Sequence, residues 1–295
     1  MRRFLALVCS IVLTCAHVHA DEQERVVALS WEAAEHLLKL DITPLAVADA
    51  GDYRSWVVRP ALPASSLNAG SRTEPNLELL AELRPSLIVI PPMLEDMRAT
   101  LERIAPVQAY DSFSLEADNY AQQRDNYLAL AGRLDREALA NARLDEMEAH
   151  ILDLRRQLFE HFAGNPPKVT VIRFSSPTVV YINGKNSMVQ RAMDLLHLKP
   201  AYPQPASEWG ITQTSITTLG AIRDGVVLHI EPFAQGDAIF NTPLWRAMPF
   251  VKAGHFGAMP STWTYGGVFS VEYLAEHIAE ALLKIPPDEA LATAQ

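Results

Sequence analysis

One stretch, Asp135 to Phe162, constrains this chain more than any other. Leu144, Met147, Ile151, Leu154, Leu158 and Phe162 recur at steps of three and four, which lines one face of a 3.6-residue helix with apolar side chains. Neither Gly nor Pro interrupts it; Arg143, Asp145, Glu146, Glu148, Asp153, Arg155, Arg156 and Glu160 cover the other faces, and Gly164-Asn165-Pro166-Pro167 stops it. Such a helix would span roughly 42 Å. With strand-and-helix patterns on both sides, that length predicts a strut joining two lobes; the alternative is a long helix packed on one larger domain.

Before the strut, Arg25–Ser30, Pro44–Ala48 and Leu87–Ile90 read as buried strands and Val107–Tyr110 as a short one. Helices are predicted over Glu32–Leu40, Pro75–Leu83, Met93–Ile104 and Ser114–Leu134. After it, Lys168–Phe174, Val179–Ile182 and Gly225–Ile230 read as strands, and Met188–Leu196 and Val271–Ile285 as helices, the former capped by Asn186 or Ser187. The expectation is an α/β protein with two βαβ-type lobes and mainly parallel sheets, over residues 21–134 and 164–285, joined by a bridging helix at 135–163. Residues 286–295 read as a loose tail.

Residues 1–20 carry Arg2 and Arg3, an apolar run from Phe4 to Ala16 and Val18-His19-Ala20, the pattern of a cleaved secretory signal. The arginine pair fits a twin-arginine signal only in part, so the export route stays open. The run is too short to span a membrane, and neither Cys9 nor Cys15 has a lipoprotein context, so a soluble secreted protein is expected. Both cysteines fall in that segment, which leaves the mature chain without disulfides, thiolate ligands or a Cys nucleophile. Without Arg2 and Arg3 there are 23 basic and 35 acidic residues, a formal charge of −12. So acidic a chain is a poor partner for nucleic acid or anionic membrane surfaces.

No nucleophile elbow, phosphate loop, zinc-protease motif or dinucleotide fingerprint is present. His36, His150, His161 and His277 sit among charged residues in helix patterns and read as solvated. His229 and Glu231 alternate on a strand and would share a side, as an acid–base pair, half a metal site or a plain strand-end polar pair. Aromatic residues instead gather beside turn formers: Tyr53 and Trp56 in Tyr53-Arg54-Ser55-Trp56, Trp209 before Gly210, and Trp263 and Tyr265 before Gly266-Gly267. Loops at strand ends are where α/β lobes hold ligands, though a loop tryptophan can also cap a core. Trp31 and Trp245 read as packing. Arg72, before a helix that Thr73 would cap and Pro75 would open, can offer two parallel hydrogen bonds to an oxygen-rich ligand; the alternative is pairing with Glu74 or Glu78.

Trp31-Glu32, Tyr53-Arg54-Ser55-Trp56, Arg72-Thr-Glu-Pro-Asn-Leu-Glu-Leu-Leu80, Arg103-Ile-Ala-Pro106, Thr242-Pro-Leu-Trp-Arg-Ala-Met-Pro-Phe-Val251 and Trp263-Thr-Tyr-Gly266 together resemble the periplasmic ferric-hydroxamate (ferrichrome-type) siderophore-binding proteins of ABC importers. The resemblance implies two α/β lobes bridged by one long helix, a periplasmic monomer, no catalysis and no cofactor, the iron being held by the siderophore. It implies that Arg72 donates to the hydroxamate oxygens and that Trp56, Trp209, Trp263 and Tyr265 wall the cleft. Where the family commonly has a tyrosine donor this chain has Leu94, with Tyr53 as a substitute from the neighbouring loop. Acidic residues that dock on the permease would be Glu95, Asp96 and Glu102 in the first lobe and Asp224 in the second. A catecholate siderophore, haem or corrinoid on the same scaffold, with Arg54 and Arg59 as reserve cations, is the nearest alternative; a periplasmic hydrolase built on His229 and Glu231 is the alternative of another class.

Overall fold

The computed structural model describes residues 24–110, 113–116 and 118–287. The signal segment 1–20 and residues 288–295 of the expected tail lie outside them. The chain folds as two α/β lobes. In the first, β1 (Val26–Ala28), β2 (Ala46–Val47), β3 (Leu67–Asn68), β4 (Leu87–Ile90) and β5 (Val107–Ala109) form a wholly parallel sheet of order β3-β2-β1-β4-β5. Helices α1 (Trp31–Lys39), α2 (Leu77–Leu83) and α3 (Asn119–Arg133) accompany it. Every residue of β1 and β4 is buried, as a parallel strand covered on both faces requires.

Residues Glu137–His161 form α4, 25 residues long, with Ala140, Leu144, Met147, Ile151, Leu154 and Leu158 buried along one stripe. The helix is shorter at each end than the sequence pattern suggested. Asp135 takes a left-handed φ of 53° before it, and Ala163 (50°) and Gly164 (89°) turn the chain away after it.

Beyond α4 the strands β6 (Val169–Ser176), β7 (Val179–Asn183), β8 (Ile211–Ser215), β9 (Val226–Ile230) and β10 (Phe256–Met259) form a sheet of order β10-β9-β6-β7-β8, with α5 (Met188–Leu195) and α6 (Ser270–Leu283). Strands β10, β9 and β6 are parallel, while β7 and β8 return antiparallel. Three predicted boundaries shift. Asn76, not Thr73, caps α2, its side chain accepting from Leu79 N–H at 3.0 Å; Asp118 caps α3, five residues later than the pattern implied; and the segment after β4 is a 3-10 turn over Pro92–Met97 before a short α-helix.

One apolar cluster runs through both lobes, from Val26 and Leu37 through Leu144, Met147 and Leu158 to Leu228, Leu274 and Ile278. A polar clasp lies within it. The Glu35 carboxylate, on α1, accepts from the N–H groups of Phe269 (2.8 Å) and Ser270 (3.1 Å) and from Ser270 Oγ (2.6 Å), so the first lobe caps the first turn of α6 in the second. His36 Nε2 accepts from Val268 N–H at 3.0 Å, which leaves the proton on Nδ1 to donate to Tyr110 Oη at 3.2 Å. Gly267 permits this approach: a Cβ there would collide with the His36 ring and the Glu35 carboxylate. His36 and His277 are therefore not the solvated residues their neighbours suggested. Both are buried, and His277 Nδ1 meets Thr262 Oγ1 at 2.6 Å. Flanking the clasp, Lys39 pairs with Glu272 and Arg59 with Glu276.

Burial raises the Glu35 pKa from 4.5 to about 7 and lowers that of His36 from 6.5 to about 3. The folded state then holds the Glu35 proton more tightly than the unfolded one, so its contribution is full below pH 4.5 and is lost as pH rises to about 7. His36 works oppositely: its contribution is full above pH 6.5 and is lost as pH falls toward 3. In urea unfolding, the stability advantage of the wild type over Glu35→Gln is expected to shrink between pH 4.5 and 7 and to be flat above; a gap that widens over that range would refute the assignment.

Candidate functional site

The loops at the carboxyl ends of β1, β2, β3, β9 and β10 converge between the lobes, where open α/β sheets hold ligands. With Arg173 and Phe174 from β6 they enclose a cavity of about 290 Å³ lined by Trp31, Asp52, Trp56, Arg72, Arg173, Phe174, Pro232 and Trp263. Larger cavities lie elsewhere; this one brings loops from the carboxyl ends of parallel strands of both lobes together with two arginines and three tryptophans.

Arg72 is held from both sides. Asp49 Oδ2 accepts from Arg72 N–H at 3.1 Å and from Nε at 3.0 Å, and the guanidinium stacks 3.8 Å from the ring centre of Trp31. Trp31 is itself fixed, its Nε1 donating to Ala48 O at 3.0 Å and its ring edge-on to Trp263 at 4.7 Å. The Nη groups of Arg72 have no protein acceptor among the described residues. Pairing with Glu74 or Glu78 does not occur; the partner is 23 residues earlier in the chain.

Trp56, 37% exposed, projects from a π-helical turn over Tyr53–Val57, a geometry that favours functional positions. Its carbonyl accepts from Ser261 Oγ at 3.1 Å, tying the first-lobe loop to the loop bearing Trp263. From Trp263 the aromatic wall continues to Tyr265 (5.5 Å) and Phe113 (5.6 Å). Gly210, at φ 61°, lies where any Cβ would strike Phe113, so the loop carrying Trp209 closes the far end of this wall; Trp209 is 57% exposed.

Arg173, absent from the sequence-based set, lines the same cavity as Arg72 from the second lobe. Nη2 donates to Thr262 O at 2.9 Å, and the guanidinium lies 5.9 Å from the Trp56 ring centre. No carboxylate pairs with it among the described residues, and desolvation lowers its pKa below the ordinary arginine value. A lone cation inside an apolar strand, Val169-Thr-Val-Ile-Arg-Phe174, was the available signal.

Several sequence expectations are corrected. Tyr53 is fully buried with its hydroxyl donating to Pro60 O at 3.0 Å, so it supplies no donor to the cleft. Leu94, 2% exposed, packs in the first-lobe core with Leu80 and Ile88. Arg54 is spent on the carbonyls of Ala50, Pro63 and Ser66, and Arg59 on Glu276. His229 is no acid–base partner of Glu231: aromatic rings enclose its imidazole, Phe256 stacked at 5.2 Å and Phe174 edge-on at 5.7 Å, and its Nδ1 is buried without a partner. Trp245 is buried among Phe174, Phe240 and Phe250, as expected of a packing residue. Of the acidic residues, Glu95 and Glu102 both grip Arg98, Asp96 is exposed just beyond the carboxyl end of β4, and Asp224 sits at the opposite end of its sheet, before β9. Among the described residues there is no group of three His, Cys, Asp or Glu that could hold a metal ion.

Residues 26–262 match the family described as periplasmic binding protein. The chain is 35% identical over 272 residues to the iron(3+)-hydroxamate-binding protein FhuD of Escherichia coli (strain K12), covering 92% of this chain and 90% of that one. It is 26% identical over 264 residues to the Fe(3+)-citrate-binding protein YfmC of Bacillus subtilis (strain 168), covering 86% and 79%. Its fold superposes with a TM-score of 0.86, at 38% identity, on the siderophore-binding protein FhuD of Vibrio cholerae bound to Fe3+-Desferal, covering 90% of this chain and all of that one.

An unpaired, partly desolvated guanidinium opposes stability, whereas a paired and stacked one favours it. Arg173→Met is expected to raise the urea midpoint, by about 1 kcal/mol in stability, and Arg72→Met to lower it by a similar amount. Equal destabilisation by both substitutions would contradict this contrast.

Proposed function

The chain belongs to the periplasmic binding protein family, and on that footing we propose that it captures ferric hydroxamate siderophores in the periplasm and delivers them to an ABC importer in the inner membrane. It acts as a soluble monomer without catalysis, exported by the segment 1–20. The observation that carries this reading is the pair of guanidinium groups, Arg72 from the first lobe and Arg173 from the second, that line one aromatic-walled cleft. A ligand that surrounds Fe(III) with its own oxygens needs no protein ligand; it needs apolar contact and a few hydrogen-bond donors. The similarity to a relative named for iron(3+)-hydroxamate binding and to a siderophore-binding protein with Fe3+-Desferal bound supports the same class.

Within that reading, Arg72 donates to the hydroxamate oxygens from the first lobe. Arg173 donates from the second and replaces the hydroxyl that the family places where Leu94 is buried here. Trp56, Trp263 and Tyr265 supply the walls and Trp209 the far rim. Glu95 and Asp96, beyond the carboxyl end of β4, are proposed to face the permease.

A ferric trihydroxamate is expected to quench tryptophan fluorescence saturably. Each hydrogen bond to a charged donor contributes about 1.5–3 kcal/mol, so Arg72→Ala and Arg173→Ala should each weaken binding by roughly 10- to 150-fold. Quenching by a ferric catecholate but not the hydroxamate would overturn the ligand class; hydroxamate binding unchanged in both variants would overturn the site.

A further inference from the structure

Away from the cleft, where α3, α4 and α5 meet, a cavity of about 500 Å³ shares no lining residue with it. Its size falls in the ~300–1,000 Å³ range of small-molecule sites. Three arginines line it, Arg124, Arg155 and Arg191, against one acid, the exposed Glu148. That is unusual in a chain with a formal charge of −10, whose arginines elsewhere often hold acids, as Arg59, Arg72, Arg98, Arg143 and Arg156 do.

None of the three arginines has a carboxylate within 4.0 Å among the described residues. Arg155 Nη1 meets Nε2 of His197 at 2.9 Å, a neutral partner when that nitrogen accepts. Arg191 stacks 4.5 Å from the ring centre of Tyr120, and its buried Nε has no acceptor among the described residues. The remaining wall is apolar: Ile151 and Leu195, with Leu152, 52% exposed, at the mouth.

We propose that this cavity is a second binding site, for a small amphipathic anion with one acidic head group on an unbranched or aromatic apolar body. The head lies on Arg124, Arg155 and Arg191 and the body along Ile151, Leu152 and Leu195. A neighbouring cavity shares Tyr120 and Arg191 but adds Asp118 and Asp194 beside Lys185, so an anionic head is directed to the Arg124 and Arg155 side. The occupant touches the bridging helix and one helix from each lobe.

The test titrates the protein with dodecanoate, read by displacement of fluorescent anilinonaphthalene sulfonate, at low and high salt. It is run with and without a saturating ferric trihydroxamate, on wild type and on Arg124→Gln/Arg191→Gln. The expected result is saturable one-to-one binding that weakens with salt and is indifferent to the hydroxamate. In the double variant it falls about tenfold or more, with an unchanged thermal midpoint to show that the fold is intact. Leu152→Glu, at an exposed position, is expected to weaken it independently. Absence of binding, equal binding of uncharged dodecanol, wild-type affinity in the double variant, or displacement by the hydroxamate would each overturn the proposal.

Discussion

A buried carboxylate at the lobe interface is the interaction on which the rest of the architecture depends. Glu35 caps the start of α6 across a separation of more than 230 residues, and His36 beside it accepts from Val268. A hydrogen bond contributes about 0.5–1.5 kcal/mol when made, and a buried group left unmatched costs about 1–3 kcal/mol. The lobes therefore have one favourable arrangement at this seam. The loop just before the clasp, residues 260–265, carries Trp263 and Tyr265, so the same contacts that fix the lobes fix the cleft wall. Thr262 adds a second tie, to His277. The clasp and the apolar cluster that α4 shares with both lobes set how the lobes rest against each other.

The cleft divides its tasks between two kinds of side chain. Aromatic rings give it shape with little conformational freedom to lose. Two arginines give it charge, but they are held differently: Arg72 is buttressed by Asp49 and Trp31, whereas Arg173 is incompletely desolvated and lacks an acid. A site that leaves one cation without a carboxylate sacrifices some stability and gains attraction for an oxygen-rich ligand. The enclosure of His229 by Phe174, Phe240 and Phe256 shows that the second lobe's one strand-borne histidine serves its core.

Much of the fold was legible in the sequence because its signals are local. The three-and-four spacing from Leu144 to Leu158 marked the strut, and the apolar runs at 26–29 and 87–90, with 226–230 broken only by His229, marked buried parallel strands. Strands β3, β8 and β10 were not, since Leu67-Asn68 is an exposed edge, Ile211–Ser215 is largely polar and Phe256–Met259 is short and contains Gly257. The site was legible in residue type more than in partnership. Trp56, Arg72 and Trp263 could be singled out, but Asp49 as the partner of Arg72 could not, because it joins the loops after two different strands. The burial of His36 is hidden from the sequence for a related reason: charged neighbours imply solvent only when nothing packs over them, and the second lobe packs over α1. Tyr53 and Leu94 face the core because the turns that carry them direct those side chains inward, which residue spacing in a loop does not encode.

The central claim is that iron sits between two arginines from opposite lobes and touches no protein atom. Anomalous scattering at the iron edge from crystals soaked in a ferric trihydroxamate tests it directly. The account predicts one iron peak in the cleft between Arg72 and Arg173, with only siderophore oxygens in its coordination shell. A peak outside the cleft, or one coordinated by a side chain of this protein, would contradict it.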